Sequence, residues 1–253
     1  MNGTFSGQVV LITGGAAGLG RAHALRFGGE GAHVVLADIN EAGMAESQAL
    51  VEAAGGSAEC HRCDMSQEAE IEAFGGAVLA AHPKVAVLIN NAGLHMGEIA
   101  RGFSGLGLAK WQHFFTVNTF APLLLAEAIR PSLAAAGGLI INKCSMASYQ
   151  PATAYGITKA SLNIFTNAMA VQFAADGIRC VGIAPGLMAT EAAVGGVGTE
   201  HWERLKAMQQ VKREGTAEDI ANLAFFLASP EGSFINNQVV LCDGGNAMRG
   251  FRF

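Results

Sequence analysis

The sequence predicts an α/β fold, a single-domain doubly wound parallel sheet of about seven strands flanked by helices on both faces. Three observations predict it. Short runs rich in Val, Ile and Leu alternate with longer amphipathic or Ala-rich stretches, the order of parallel strands joined by crossover helices. The runs are apolar throughout rather than at alternate positions, as strands covered on both faces are. A glycine-rich turn follows the first run directly and opens the first helical stretch.

The expected strands are Val9 to Thr13, His33 to Asp38, Ala58 to Cys63, Val85 to Asn90, Leu139 to Cys144, Arg179 to Ala184 and Gln238 to Cys242. Between them helices are expected near Gly18 to Glu30, Glu41 to Ala54, Gln67 to Ala81, Lys110 to Ala136, Ala154 to Asp176 and Thr216 to Ser229. Two glycine-punctuated regions interrupt this rhythm. Gly97 to Gly107 reads as a mobile loop or a solvated connection. Leu187 to Val211 follows the carboxyl end of a strand and carries Met188, Val194, Val197, Trp202 and Met208; at that edge of an α/β sheet loops form ligand crevices.

With 253 residues, 51% of them hydrophobic and 15% charged, the chain suffices for one large core and is short for two. Residues 1–253 are therefore read as one domain. The formal charge of -5 and the absence of a Lys/Arg run exclude a nucleic-acid surface and favour a small-molecule partner. The first residues lack the regions of a signal peptide, and no apolar run approaches the ~20 residues of a membrane span. A soluble, cytoplasmic protein is expected. Five scattered cysteines, Cys60, Cys63, Cys144, Cys180 and Cys242, read as reduced thiols. Cys60-His-Arg-Cys63 has no second pair at zinc-finger spacing, and no metal site is assigned.

Thr13-Gly-Gly-Ala-Ala-Gly-Leu-Gly20 has the composition of a phosphate-binding turn. Gly14, Gly18 and Gly20 allow backbone to approach a pyrophosphate, and the amides of the helix start, around Leu19, would face it. A purely structural turn is the other reading. Asp38 ends the second strand, where a carboxylate can accept hydrogen bonds from both adenosine ribose hydroxyls and would repel a 2′-phosphate. Neither Ala17, Ile39 nor Asn40 supplies a compensating cation, so NAD is expected over NADP. The alternative role for Asp38 is N-cap of the next helix.

Tyr155 and Lys159, four residues apart, share one helix face. A phenol with a pKa of about 10 is a poor base at neutral pH. A cation at about 4 Å supplies roughly 4 kcal/mol at an effective dielectric of about 20, enough to make it a better one.

With the glycine turn, Asn90-Asn-Ala-Gly93, Tyr155-x-x-x-Lys159 and Pro185-Gly186-x-x-x-Thr190 in this order, the chain resembles the short-chain dehydrogenase/reductase family along its whole length. That resemblance implies a Rossmann-like fold and an oxidoreductase. It places Asp64 and Met65 at the adenine and Asn91, with Ala92 and Gly93, beside the adenosine ribose. Pro185, Gly186, Met188 and Thr190 fall at the nicotinamide end. Asn118, Ser145, Tyr155 and Lys159 match the catalytic positions: Tyr155 as acid/base, Lys159 lowering its pKa and holding the ribose, Ser145 bonding the substrate oxygen, and Asn118 anchoring a water.

Two departures stand out. Only nine residues separate Ser145 from Tyr155, about three fewer than is common in the family, so a shorter loop and a more open pocket are expected. Lys143 and Cys144 stand where an apolar residue and a serine are usual. Ser148 competes with Ser145, which follows its strand in the expected place.

The Leu187 to Val211 loop is mostly apolar, so the expected substrate is a hydrophobic secondary alcohol or ketone. Leu94, His95 and Met96 are expected nearby. The surplus apolar surface of Lys110 to Ala136 and Ala154 to Asp176 suggests subunit packing, and the resemblance implies a homo-oligomer of two or four copies; a tetramer is expected. The tail Met248 to Phe253 is expected to dock on a neighbour or fray. Two alternative functions are a 3-oxoacyl-carrier reductase and a non-catalytic dinucleotide-sensing or scaffold protein.

Overall fold

The computed structural model describes residues 3–149, 151–190 and 199–246. Seven parallel strands form one sheet: β1 (Val9–Thr13), β2 (His33–Asp38), β3 (Ser57–Arg62), β4 (Val87–Asn90), β5 (Leu139–Lys143), β6 (Arg179–Pro185) and β7 (Val239–Cys242). Their order is β3-β2-β1-β4-β5-β6-β7. The chain winds outward one way from β1 through β2 to β3, then returns to β1's other side with β4. At the carboxyl ends of β1 and β4 the crossovers therefore diverge, which opens a crevice.

Successive residues of each strand face opposite layers. Val10, Ile12, Val34, Leu36, Ile89 and Ile141 pack with Phe27 of α1 (Gly18–Gly28), Met44 and Val51 of α2 (Glu41–Ala53) and a later helix bearing Ile220 and Leu227. Leu11, Val35, Leu88, Ile140 and Cys180 pack with Ile71, Phe74 and Val78 of α3 (Glu68–Ala81), and with Leu125, Leu133 and Met169. This period of two, apolar on both sides, is why the strands read as continuous apolar runs.

The stretch Lys110 to Ala136, expected as one helix, is divided. It comprises α4 (Leu108–Phe115), a π-helical turn (Thr116–Phe120), α5 (Ala121–Ala128) and α6 (Arg130–Ala136). The next helix, α7 (Ala154–Gln172), ends before a separate 3-10 turn, Ala174–Asp176. Two further helices, α8 (Thr199–Ala207) and α9 (Ala217–Ala228), follow; α9 starts with a reciprocal cap between Thr216 and Asp219.

Gly97 to Gly107 is more than a solvated connection. It holds a 3-10 turn, Gly97–Ala100, and buries Ile99 and Leu106 against Phe114 and Ala154. Val194, Val197 and the tail from Met248 lie outside the described residues, so those expectations have no structural counterpart. Among the described residues no helix is long and apolar enough to cross a membrane. All five cysteines are free.

Candidate active site

The crevice is a cleft of about 1430 Å³ along the carboxyl ends of the strands. At its centre, β1 passes into α1 through the glycine turn. Gly14 has φ +68, a left-handed conformation. A Cβ on Gly20 would stand 1.9 Å from the Gly14 carbonyl oxygen, so only glycine permits this winding. No side chain caps α1, whose N-cap is Ala17, and its first turn carries no acidic residue. Its positive end and amides are thus left to the cleft.

Asp38 lines the cleft at the end of β2. Its Oδ2 accepts from the Ala16 amide at 3.1 Å and its Oδ1 from the Asn40 amide at 3.0 Å, which ties β2 to the glycine turn. The N-cap of α2 is Asn40, whose side chain accepts from Gly43 at 3.0 Å, so the capping alternative for Asp38 falls away. Arg21, on α1, is turned to Glu46 at 2.7 Å. Asp64 and Met65, following β3, continue the same wall, and the Asp64 Oδ1 accepts from the Ser66 amide at 2.8 Å.

Asn91 donates through Nδ2 to the carbonyls of Thr13 and Gly14, at 2.9 and 3.0 Å. Both amide hydrogens are spent, which fixes the orientation of the side chain. Its Oδ1 is buried and has no protein donor. An acceptor without a donor costs about 1–3 kcal/mol, and a ligand hydroxyl is the kind of group it lacks. The uncapped helix start, the glycine turn and this orphaned acceptor fit a dinucleotide. Asn91 thus combines its strand-bridging role with a vacant acceptor on the cleft wall.

Ser145, two residues beyond the end of β5, lines the cleft with Tyr155, and its Oγ accepts from the Ala147 amide at 3.2 Å. Ser148 is buried and committed elsewhere: it donates to the Ser145 carbonyl at 2.6 Å and accepts from Asn163 at 2.8 Å. The structure thereby separates the two serines. In the short connection before α7, Ala152 and Thr153 also line the cleft, and Thr153 caps the helix through Gly156 at 3.1 Å.

Tyr155 faces the cleft from the first turn of α7, and Lys159 lies behind it, 1% exposed. The Lys159 Nζ donates to the Lys143 carbonyl at 2.8 Å. Burial pulls Lys159 down to about 8, with Cys144 acting the other way. Burial also raises the Tyr155 phenol above its ordinary value, the nearby Ser145 hydroxyl opposes the rise, and Cys144 adds to it. This corrects the expectation that Lys159 holds the phenol low: in the protein alone, desolvation dominates.

Asn118 sits fully buried in the π-helical turn, outside the cleft lining. Its Oδ1 accepts from Leu94 N at 2.7 Å, and its Nδ2 donates to Leu94 O at 2.9 Å and Thr158 Oγ1 at 3.1 Å. Both amide hydrogens are therefore spent on the protein, and the side chain braces the loop after β4 against α7.

The remaining expected positions, Gly18, Leu19, Ala92, Gly93, Pro185, Gly186, Met188 and Thr190, all line the cleft; Gly20 and Lys159 support it from behind. Leu94, His95 and Met96 line it as expected, and so do Leu187 and Met208. Trp202 is buried but is not part of the lining. Sequence reasoning missed the position of Lys143 as a cleft residue, and with it His113 and Leu205. The signal was available: a lysine within an apolar strand end requires an outlet.

The fold and cleft define a Rossmann-like α/β protein whose strand ends form a dinucleotide-shaped site. A family model described as enoyl-(acyl carrier protein) reductase matches residues 14–247. A 7alpha-hydroxysteroid dehydrogenase of Escherichia coli (strain K12) is 31% identical, with 94% of each chain covered. The 2,5-dichloro-2,5-cyclohexadiene-1,4-diol dehydrogenase LinX of Sphingobium indicum is 36% identical over 97% of this chain and 98% of its own. Among solved structures, a 7alpha-hydroxysteroid dehydrogenase complexed with NADH and 7-oxo glycochenodeoxycholic acid superposes with a TM-score of 0.90, at 30% identity and coverage of 97% and 96%. An L-sorbose reductase from Gluconobacter frateurii, complexed with NADPH and L-sorbose, gives 0.87 at 28% identity and coverage of 98% and 99%. The chain belongs to the short-chain dehydrogenase/reductase family, a family of oxidoreductases that bind a nicotinamide dinucleotide.

Proposed function

We propose that this protein is an NAD-dependent dehydrogenase or reductase that interconverts a hydrophobic secondary alcohol and its ketone. The observation that carries this reading is the placing of Ser145 and Tyr155 on one wall of the cleft, with the buried Lys159 behind them. When bound, the dinucleotide accepts or donates the hydride. Tyr155 takes the proton from the substrate hydroxyl in oxidation and returns it in reduction. Ser145 Oγ orients the substrate oxygen beside the phenol. Lys159 has one of its hydrogens on the Lys143 carbonyl and would have the others for the dinucleotide's ribose and the proton path. Asn118 acts through position, holding the Leu94 backbone.

The choice of NAD rests on Asp38, with no cation among the described lining residues beside it at the ends of β2 and β3. Among the described lining residues the acidic ones, Asp38 and Asp64, both stand there, whereas Lys143 and Arg204 line the remainder of the cleft. This distribution favours an apolar substrate that also carries an acidic group. We further propose a homo-oligomer built on the outer faces of α5 and α7.

An alcohol panel with NAD and NADP, with acidic and neutral members, tests the reading. Turnover is expected with NAD, and Tyr155→Phe should lower kcat by about 10³-fold or more while leaving dinucleotide binding intact. Preference for NADP would overturn the cofactor assignment; turnover surviving in Tyr155→Phe would overturn the mechanism. Binding without turnover across the panel would favour a dinucleotide sensor. Because the phenol pKa is raised, oxidation, which needs phenolate, should quicken as pH rises above neutral, and reduction, which needs the phenol, should not.

A further inference from the structure

Far from the cleft, at the edge of the sheet, three imidazoles converge on one carboxylate. His33 opens β2, Glu59 lies in β3, and His82 is the residue that ends α3. The His82 Nε2 is 2.9 Å from Glu59 Oε1, and the His33 Nε2 is 3.5 Å from Glu59 Oε2. One ligand atom from each residue fits within a 4.8 Å group. His61, also in β3, brings its Nε2 to 2.9 Å from Glu59 Oε1.

We propose that His33, Glu59 and His82 form a site for a divalent transition metal of the zinc class, which clips the edge strand β3 to β2 and to the end of α3. Two nitrogen donors and a carboxylate are the ligand types zinc selects, with bonds of about 2.0–2.2 Å. Tetrahedral bonds of that length put ligand atoms roughly 3.3–3.5 Å apart, inside the range these atoms already span. Small side-chain rotations complete the geometry, and solvent or His61 fills the fourth position.

A second observation points the same way. The outer nitrogen of His33, Nδ1, sits 2.9 Å from Ser57 Oγ. A hydrogen bond on one ring nitrogen fixes the ring and aims the other, as partners of metal-bound histidines do. The supporting elements are rigid, since His33 and Ser57 are direct strand partners. The side chains of His82, His33 and Glu59 remain 12%, 32% and 36% exposed, so an ion can enter.

Binding requires His33 and His82 to present Nε2 as a lone pair; any proton there leaves to solvent, and no electron moves. The metal would occupy the position where the imidazole edges now meet the carboxylate. Its effect is on stability rather than turnover, because His33 lies at the amino end of β2 and the cleft at the carboxyl ends.

The full chain, stripped with a chelator, is titrated calorimetrically with zinc chloride. One equivalent should bind at micromolar concentration or tighter, and the thermal midpoint should rise and fall back on adding chelator. The double variant His33→Gln/His82→Gln should bind roughly 100-fold more weakly and lose the midpoint shift. Equal binding by variant and wild type would place the metal elsewhere and overturn the proposal, as would no binding at all. Cobalt(II) titration of the wild type gives an answer even if the variant does not fold. Intense visible bands of a four-coordinate site support the proposal; only the weak spectrum of the aqueous ion overturns it.

Discussion

Lys143 ends β5, after Leu139-Ile-Ile-Asn142, and faces the cleft. Burial, with help from Lys159, pulls its ammonium down to about 7. The unfolded chain holds that proton up to about pH 10.5, so the folded state is penalised. The penalty is complete below about pH 7, shrinks as pH rises and vanishes above about 10.5. Lys143→Met should therefore stabilise the protein by about 1–3 kcal/mol at pH 7 and by progressively less toward pH 10. Urea unfolding at the two pH values measures this. An equal gain at both would mean that the benefit is packing, not charge. The same substitution should raise KM for acidic alcohols more than for neutral ones. His23, buried in α1, completes the pattern: burial first and Lys143 second lower it to about 3, and its Nδ1 has no partner. A strand end and a helix interior each carry a polar group where packing alone asks for an apolar one, a departure expected at functional places.

At the scale of the element, α3 contains adjacent glycines with opposite surroundings. A Cβ on Gly76 would meet nothing within 4 Å, whereas one on Gly75 would lie 2.6 Å from the Cβ of Ala128 at the end of α5. Gly76→Ala should raise stability by about 1 kcal/mol through helix propensity alone. Gly75→Ala gains the same propensity but forces α3 and α5 apart, with an overpacking cost of about 1–3 kcal/mol. Thermal midpoints that move in opposite directions would bear this out; two increases would show that the helices separate freely. The glycine turn after β1, the strand runs and the Tyr155–Lys159 spacing were legible because each is written in a few neighbouring residues. The π-helical turn was not. Asn118 grips the Leu94 backbone and Thr119 donates to the Thr158 carbonyl at 3.0 Å, so partners remote in sequence set the irregularity. Pro122 and Pro131 lie inside the single helix expected over Lys110 to Ala136, yet both fall at helix starts, where a proline is tolerated. The convergence of His33, Glu59 and His82 was likewise hidden, since it joins residues from three elements.

At the scale of the whole molecule, the outer face of α7 carries exposed apolar side chains. Ile164 and Val171 are each 70% exposed, and Phe120, 41% exposed, packs edge-on against Phe165 at 6.1 Å. Ile164 and Val171 are two helical turns apart and so fall on one stripe. Apolar side chains left this open gain about 1.5–3 kcal/mol each when fully buried, which a second copy of the chain can provide. The proposed oligomer then predicts that Ile164→Glu leaves the monomer fold intact, because the side chain supports no core, but weakens association by about two orders of magnitude or more. Sedimentation velocity at micromolar concentration should find the wild type assembled and the variant largely monomeric, with unchanged circular dichroism. A monomeric wild type would remove the oligomer, and a variant that assembles normally would move the interface off this face. Dinucleotide affinity discriminates further: the cleft is lined from within one chain, so a monomeric variant should still bind the cofactor.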